Sequence, residues 1–308
     1  MSGGRPGRLQ HVELLTPAPL AEVAAFYVPW GLEVVDEAAD SVAFRAGGPA
    51  HHCLRFVAAD HTGLGHIAFG ARSRQAVDAL HRQWADDGVE IRSEPATLDA
   101  LGGGYGFDAA DPEGRVLRVV TEMLAADPRP EPGPVPIGIT HVVLNTVDID
   151  QLCAFYVEVL GFAVSDWSEH QMVFLRNGTD HHTIAFNQAE HASVNHVAYE
   201  LASLDHFLTS VGRMKVAGVD PLWGIGRHGP GNNSFAYYGD PAGFVPEFTA
   251  DVQQIPGGAD GSDWLPRVWR RIPSQSDLWH LAGPPSAEFR RIGAGQPDPA
   301  LHLPRWPR

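Results

Sequence analysis

From His141 to Thr146 successive side chains fall on alternate faces of an extended chain, and beyond Asp148 the apolar spacing changes to that of a helix. Asp148 is placed to cap this helix, which carries Leu152, Phe155, Tyr156 and Val159 to one side and stops at Gly161. Alternation resumes at Met172 to Leu175 and at Thr183 to Phe186. The order then starts again, with a strand at Asn195 to Glu200, a helix capped at Ser203, and strands near Phe235 and Val245. The pattern predicts a βαβββ unit used twice in succession.

The same pattern is written earlier in the chain. The stretch LQHVELLTPAPLAEVAAFYVPWGLEV from Leu9 aligns with ITHVVLNTVDIDQLCAFYVEVLGFAV from Ile139. His11, His51, His52, His61 and His66 recur at one spacing as His141, His181, His182, His191 and His196. Asp111-Pro112-Glu113-Gly114 likewise matches Asp240-Pro241-Ala242-Gly243. The chain reads as a duplication, an α+β protein of four βαβββ modules paired into two domains. At 308 residues it has room for two modules of roughly 100 to 150 residues, each able to bury a core.

The run from Ala126 to Pro136 is rich in proline, which lacks an amide donor and favours extended backbone, so it reads as a linker. The expected division is a first domain over 1–125, the linker over 126–136, a second domain over 137–252, and a tail over 253–308. That tail has no periodicity and spreads Trp264, Trp269, Trp279 and Trp306 along its length, so it is expected as an irregular segment packed on the second domain.

Composition narrows the function. With 22 basic against 37 acidic residues the chain repels phosphate backbones and anionic lipid, which argues against nucleic acid as a partner. No apolar run approaches the ~20 residues that span a bilayer, and the amino terminus lacks the layout of a secretory signal, so a cytoplasmic protein away from membranes is expected. Cys53 and Cys153 have neither the number nor the spacing for thiolate metal sites, which leaves nitrogen and oxygen as metal donors. Because histidine occurs 16 times, only histidines placed by a pattern carry weight.

Period-two alternation puts His141 on a face with Val143 and Asn145, His196 with Ala198 and Glu200, and Glu247 with Val245 and Thr249. Each of His141, His196 and Glu247 thus sits on its own strand. If such strands curl into an open barrel, the three converge as two imidazoles and a carboxylate, which leaves three positions on Fe(II) for a bidentate catecholate and dioxygen. Taken singly, each of the three reads equally well as a hydrogen-bonded strand residue. Pro246, next to Glu247, removes a ladder donor and is expected at a strand edge.

The stretch Gly226-Arg-His228-Gly-Pro-Gly-Asn-Asn-Ser-Phe-Ala-Tyr237-Tyr-Gly-Asp240-Pro241-Ala-Gly243-Phe-Val-Pro-Glu247 resembles the signature of type I extradiol dioxygenases of the vicinal oxygen chelate superfamily. Ala236 departs from it, standing where a larger apolar residue is usual. Ile139-Thr-His141, Asp180-His-His-Thr-Ile-Ala-Phe186 and Val194-Asn-His196-Val-Ala-Tyr-Glu200 are similar to other strands of that family, the first with a slight difference. The resemblance implies two open β-barrel-like domains and extradiol cleavage of a small aromatic diol with O2. It implies His141, His196 and Glu247 as ligands of Fe(II), with Mn(II) as the other candidate ion. His182 would then be the pocket acid and base, and His228 and Tyr237 would hydrogen-bond the substrate oxygens. Val143 and Phe174 fall where the family places pocket walls, with Trp223 ahead of the His228 loop. A homo-oligomer is the expected assembly.

His181 and Tyr238 are adjacent to these residues but point to the other face and are expected to be structural. Arg270 and Arg271 are expected to be solvated, a reach toward a substrate carboxylate being the alternative. In the first half, Arg118 takes the place of Glu247, while Asp99 and Asp108 fall near the places of His228 and Tyr237. A cation cannot ligate iron, so the first domain is expected to be metal-free. Two other activities use this fold: a glyoxalase-type lyase or isomerase, and a non-catalytic sequestering protein of the bleomycin-resistance type. The His182, His228 and Tyr237 set favours the oxygenase over both.

Overall fold

The computed structural model describes residues 4–126, 133–260 and 263–306, so the middle of the expected linker lies outside the described residues. Strands β1 (Leu9–Thr16), β2 (Glu33–Glu37), β3 (Ser41–Arg45), β4 (Leu54–Ala58), β5 (Gly63–Gly70), β6 (Glu90–Ile91), β7 (Ala96–Thr97), β8 (Tyr105–Ala110) and β9 (Val116–Thr121) form one sheet. A second contains β10 (Gly138–Thr146), β11 (Ala163–Ser168), β12 (Met172–Arg176), β13 (Ile184–Gln188), β14 (Ser193–Leu201), β15 (Trp223–Arg227), β16 (Ser234–Tyr237), β17 (Pro246–Ala250) and β18 (Arg267–Trp269). The first sheet runs β2-β3-β4-β1-β5-β9-β8, and the second repeats that order as β11-β12-β13-β10-β14-β17-β16. Helices α1 (Leu20–Trp30), α2 (Arg74–Asp86), α3 (Ile149–Glu158) and α4 (Leu204–Val216) complete the four units. Among the described residues no helix is long and apolar enough to cross a membrane.

Local chemistry sets the helix boundaries. The Asp148 carboxylate accepts the Gln151 amide at 2.9 Å, and Ser203 caps α4 through the His206 amide, satisfying donors that a helix start leaves free. Ile149, Leu152, Phe155 and Tyr156 are the buried face of α3. Gly161 takes the left-handed conformation (φ +76°) that lets the chain turn back into β11.

The two halves share one apolar core. Trp30 of α1 stacks on Phe248 of β17, ring centroids 3.6 Å apart, which joins the first half to the strand that carries Glu247. The duplicated Asp-Pro-x-Gly turns are exchanged between halves: Tyr27 donates to Asp240 at 2.8 Å, and Tyr156 reaches Asp111 at 3.4 Å. Fully buried Arg115 pairs with Asp111 and Glu113 and donates to the Asn145 carbonyl of β10 at 2.6 Å. Each half therefore buries polar groups that its sister helps to satisfy.

Two expectations change. Pro246 is not at a sheet edge, since it opens β17, which runs between β14 and β16. A first residue can lack its amide because its carbonyl still accepts the Tyr238 amide (3.0 Å) and the Val245 carbonyl accepts that of Val197 (3.1 Å). The tail is also less irregular than its sequence: β18 pairs in parallel with β11, a short helix α5 spans Pro273–Ser276, and α6 spans Ala287–Gly293. Individual polar anchors hold these pieces, which is why no periodicity announces them. Asp277 accepts four backbone amides, those of Arg227, Trp279, Leu281 and Ala282. Asp298 accepts the Leu64 amide, so the tail binds the first half as well as the second.

Candidate metal centre

The ladder register lines up the chemistry. Across five strands, Trp223, Tyr237, Glu247, Ala198 and His141 are directly opposite one another in turn, and directly opposed residues share a face. The neighbouring row runs His196, Val143, Ala185 and Phe174. Bulges in the pairing of β10 with β14 fall on both sides of His141 to Val143, where the added twist re-aims the side chains. Between His141 and Glu247 stands Ala198, whose methyl leaves the space that the longer side chains enter.

His141, His196 and Glu247 offer donor atoms that all lie within 4.8 Å of one another, and all three residues are buried. The Nε2 atoms of both imidazoles approach Glu247 Oε2 to 3.2 Å. The flanking contacts aim these nitrogens inward. Asn195 gives its amide hydrogens to Asn145 Oδ1 and the Gly293 carbonyl, so its oxygen faces His196 Nδ1 at 2.8 Å and accepts from it. His196 Nε2 is thereby left with its lone pair. Thr140 Oγ1 lies 2.6 Å from His141 Nδ1, and Asn233 donates toward Glu247 Oε1 at 3.4 Å. Burial alone would raise the Glu247 carboxyl, but the two imidazoles outweigh it and hold the group at about 2. A buried carboxylate and two buried imidazoles that converge on it through Nε2 fit a divalent metal ion.

The remaining expected residues surround this cluster. The His182 ring centroid lies 4.1 Å from that of His141, and burial lowers its pKa well below the ordinary histidine value. His228, just past β15, points Nδ1 at the Ser276 carbonyl (3.2 Å) and so accepts at Nε2 from the Tyr237 hydroxyl (2.8 Å). Burial pushes His228 down to about 4 and Tyr237 well up, so both face the site uncharged. Val143, Phe174 and Trp223 line a cavity of about 540 Å³ with His182 and the two ligand histidines. Arg270 and Arg271 also reach the lining. Tyr238 faces away and packs on Trp30 and Phe248.

Sequence reasoning missed Asn195, Thr140 and Asn233, which orient the donors, and Ala198, which makes room for them. It also missed Trp269, Phe289 and Arg290 of the tail, all on the cavity wall. The two neighbours of the ligand histidines were findable, because each is adjacent in sequence; the tail residues have no pattern that would reveal them.

The first half repeats the ladder with other side chains. Asp108, Arg118, Ala68 and His11 occupy the row that Tyr237, Glu247, Ala198 and His141 occupy in the second. Arg118 forms two hydrogen bonds of 2.8 Å with Asp108 and brings its guanidinium to 3.3 Å from His66 Nε2. His11 and His66 face each other through Nε2 at 2.8 Å. A fixed cation thus sits beside the histidine pair, where a metal ion would be repelled.

Three comparisons bear on this geometry. A family model described as the Glyoxalase/Bleomycin resistance protein/Dioxygenase superfamily matches residues 138–248. The chain is 34% identical over 125 residues to metapyrocatechase 2 of Cupriavidus necator, a match spanning 40% of this chain and 39% of that protein. It is 24% identical to the manganese-dependent 2,3-dihydroxybiphenyl 1,2-dioxygenase of Geobacillus genomosp. 3, over 88% of this chain and 92% of the relative. Among solved structures, the Mn(II)-bound glyoxalase from Novosphingobium aromaticivorans superposes with a TM-score of 0.86 and 34% identity, over 98% and 96% of the two chains.

Proposed function

The chain belongs to the glyoxalase/bleomycin resistance protein/dioxygenase superfamily, and from that premise we propose that it is an extradiol dioxygenase that opens a catechol-type ring beside its hydroxyls using O2. The observation that carries this reading is that, among the described residues, the complete set of two histidines and a carboxylate occurs once in a duplicated chain, in the half that also keeps His182, His228 and Tyr237 around the cavity. Arg118 breaks the set in the sister half.

His141, His196 and Glu247 would hold Fe(II), with Mn(II) as the second candidate, and the bound ion would supply chelation of the diol and activation of O2. The chain's own groups supply the rest. Neutral His182, next to His141, takes a proton from the substrate and returns it as the ring opens. Tyr237, whose hydroxyl proton is given to His228, keeps a lone pair on its oxygen that can accept a hydrogen bond from a substrate hydroxyl. Val143 and Phe174 supply an apolar wall for the aromatic ring. Residues 137–252 act as the catalytic domain and 1–125 as a metal-free partner, in a cytoplasmic homo-oligomer whose subunit number light scattering will read.

The deciding experiment is anaerobic loading with Fe(II), and in parallel Mn(II), followed by a panel of catechols with oxygen uptake and the yellow ring-fission product as readouts. No uptake from protein shown to hold either ion removes the oxygenase reading. The full-length likeness to the Mn(II)-bound glyoxalase from Novosphingobium aromaticivorans motivates one further arm, turnover of a hemithioacetal under the same metal loading.

A further inference from the structure

His181 was expected to be structural, but its contacts connect the tail to His182. Asp166 of β11 is buried, and its carboxylate receives three donors. Trp269 Nε1 donates at 2.6 Å and the Arg267 amide at 2.8 Å, both from β18, and His181 Nε2 lies at 3.1 Å. The other nitrogen of His181, Nδ1, lies 3.1 Å from Nδ1 of His182. A neutral imidazole carries one N–H, and beside a carboxylate that proton belongs on Nε2. His181 Nδ1 is then an acceptor, so the proton between the two rings belongs to His182 Nδ1. His182, which lines the cavity, is then left with its lone pair on Nε2.

The first half supplies a contrast. Asp36, His51 and His52 hold the equivalent positions, and His51 Nδ1 still meets His52 Nδ1 at 3.2 Å. There, however, Asp36 lines an open cavity, and among the described residues it makes no hydrogen bond to His51. Among the described residues the first sheet also has no counterpart of β18 to close over it. The outer part of the chain Trp269, Asp166, His181 is therefore complete in the half with the intact metal set and open in the half without it.

We propose that Asp166 and His181 are positioning residues that hold His182 in the Nδ1–H tautomer with Nε2 presented to the substrate, and that Trp269 of the tail strand locks the carboxylate that does this. The role rests on the dioxygenase reading, whereas the tautomer is a property of the chain itself. Outer contacts of this kind change activity by roughly 10- to 100-fold when removed.

Two polar substitutions separate the two ends of His181. In His181→Asn the amide oxygen falls where Nδ1 was and still accepts from His182. In His181→Gln the amide reaches Asp166 and leaves the Nδ1 place empty. With metal content matched to the wild type, the asparagine variant is expected to keep kcat within several-fold. The glutamine variant is expected to lose about 10- to 100-fold in kcat with KM little changed. Equal kcat in the two variants, or a lower kcat for asparagine, overturns the proposal. A second readout needs no turnover: long-range proton–nitrogen NMR of the full chain loaded with diamagnetic Zn(II). It is expected to show His182 protonated at Nδ1 in the wild type. Protonation at Nε2 instead overturns the proposal even if both variants lose their fold. If wild-type enzyme turns over no catechol while His182 shows the Nδ1–H tautomer, the dioxygenase reading fails and the hydrogen-bond assignment stands.

Discussion

His141 and Glu247 lie on strands that are not neighbours, yet His141 Nε2 and Glu247 Oε2 are 3.2 Å apart. The strand between them places Ala198 directly opposite both, and the missing bulk at Ala198 is what lets them meet. Ala198→Leu is therefore expected to lower metal affinity by at least 100-fold, comparable to Glu247→Ala, while costing about 1–3 kcal/mol of stability through overpacking. Metal content after dialysis, set beside a denaturation curve, checks this; full metal content in the leucine variant would contradict it.

His182→Ala separates binding from chemistry. Because His182 touches His141 without being one of the three donors, the variant should retain the metal and lose about 10²- to 10⁴-fold in kcat. Metal loss that parallels activity loss would show that His182 supports the donors instead.

Arg118→Ala tests the sister half. On the proposed reading the guanidinium keeps a cation away from His11 and His66, and its removal supplies no carboxylate, so the metal stoichiometry should stay at one per chain. Loss of metal would place the first half in the site, and a second bound ion would make two imidazoles sufficient.

Trp30→Ala removes a fully buried ring from the boundary between halves and is expected to cost about 3–5 kcal/mol. Since both halves share one core, chemical denaturation followed by tryptophan emission and by metal release should remain a single coincident transition, shifted to lower denaturant. Two separated transitions would mean that the halves fold independently.

Asp240 gives stability a pH dependence. Burial raises its carboxyl from 3.8 to about 7 in the folded chain, against hydrogen bonds from Phe244 and Tyr27 that oppose the shift. An acid whose folded pKa is raised holds its proton more tightly in the native state. Its stabilisation is thus complete below about pH 4 and is lost as pH climbs through about 7. The difference in Tm between the metal-free wild type and Asp240→Asn should move in favour of the variant from pH 5 to pH 8. A constant difference would show that Asp240 titrates normally.

Duplication and the strand and helix order were legible in the sequence because each depends on local spacing: a period of two, a helix cap, a histidine at a fixed offset from its sister; His141, His196 and Glu247 were singled out by the resemblance of their strands to a family signature. The Asp148 and Ser203 caps are of this kind, satisfied within three residues of where they are read. What the tertiary structure alone decided is who meets whom across strands. The row from Trp223 through Glu247 to His141 depends on ladder register, which is set by packing and bulges far from any one of those residues. The exchange of Tyr27 and Tyr156 between halves joins positions 213 and 45 residues apart, and the tail's reach from Trp269 to Asp166 joins positions 103 apart. No local period encodes such contacts, because each rests on a single buried polar partner.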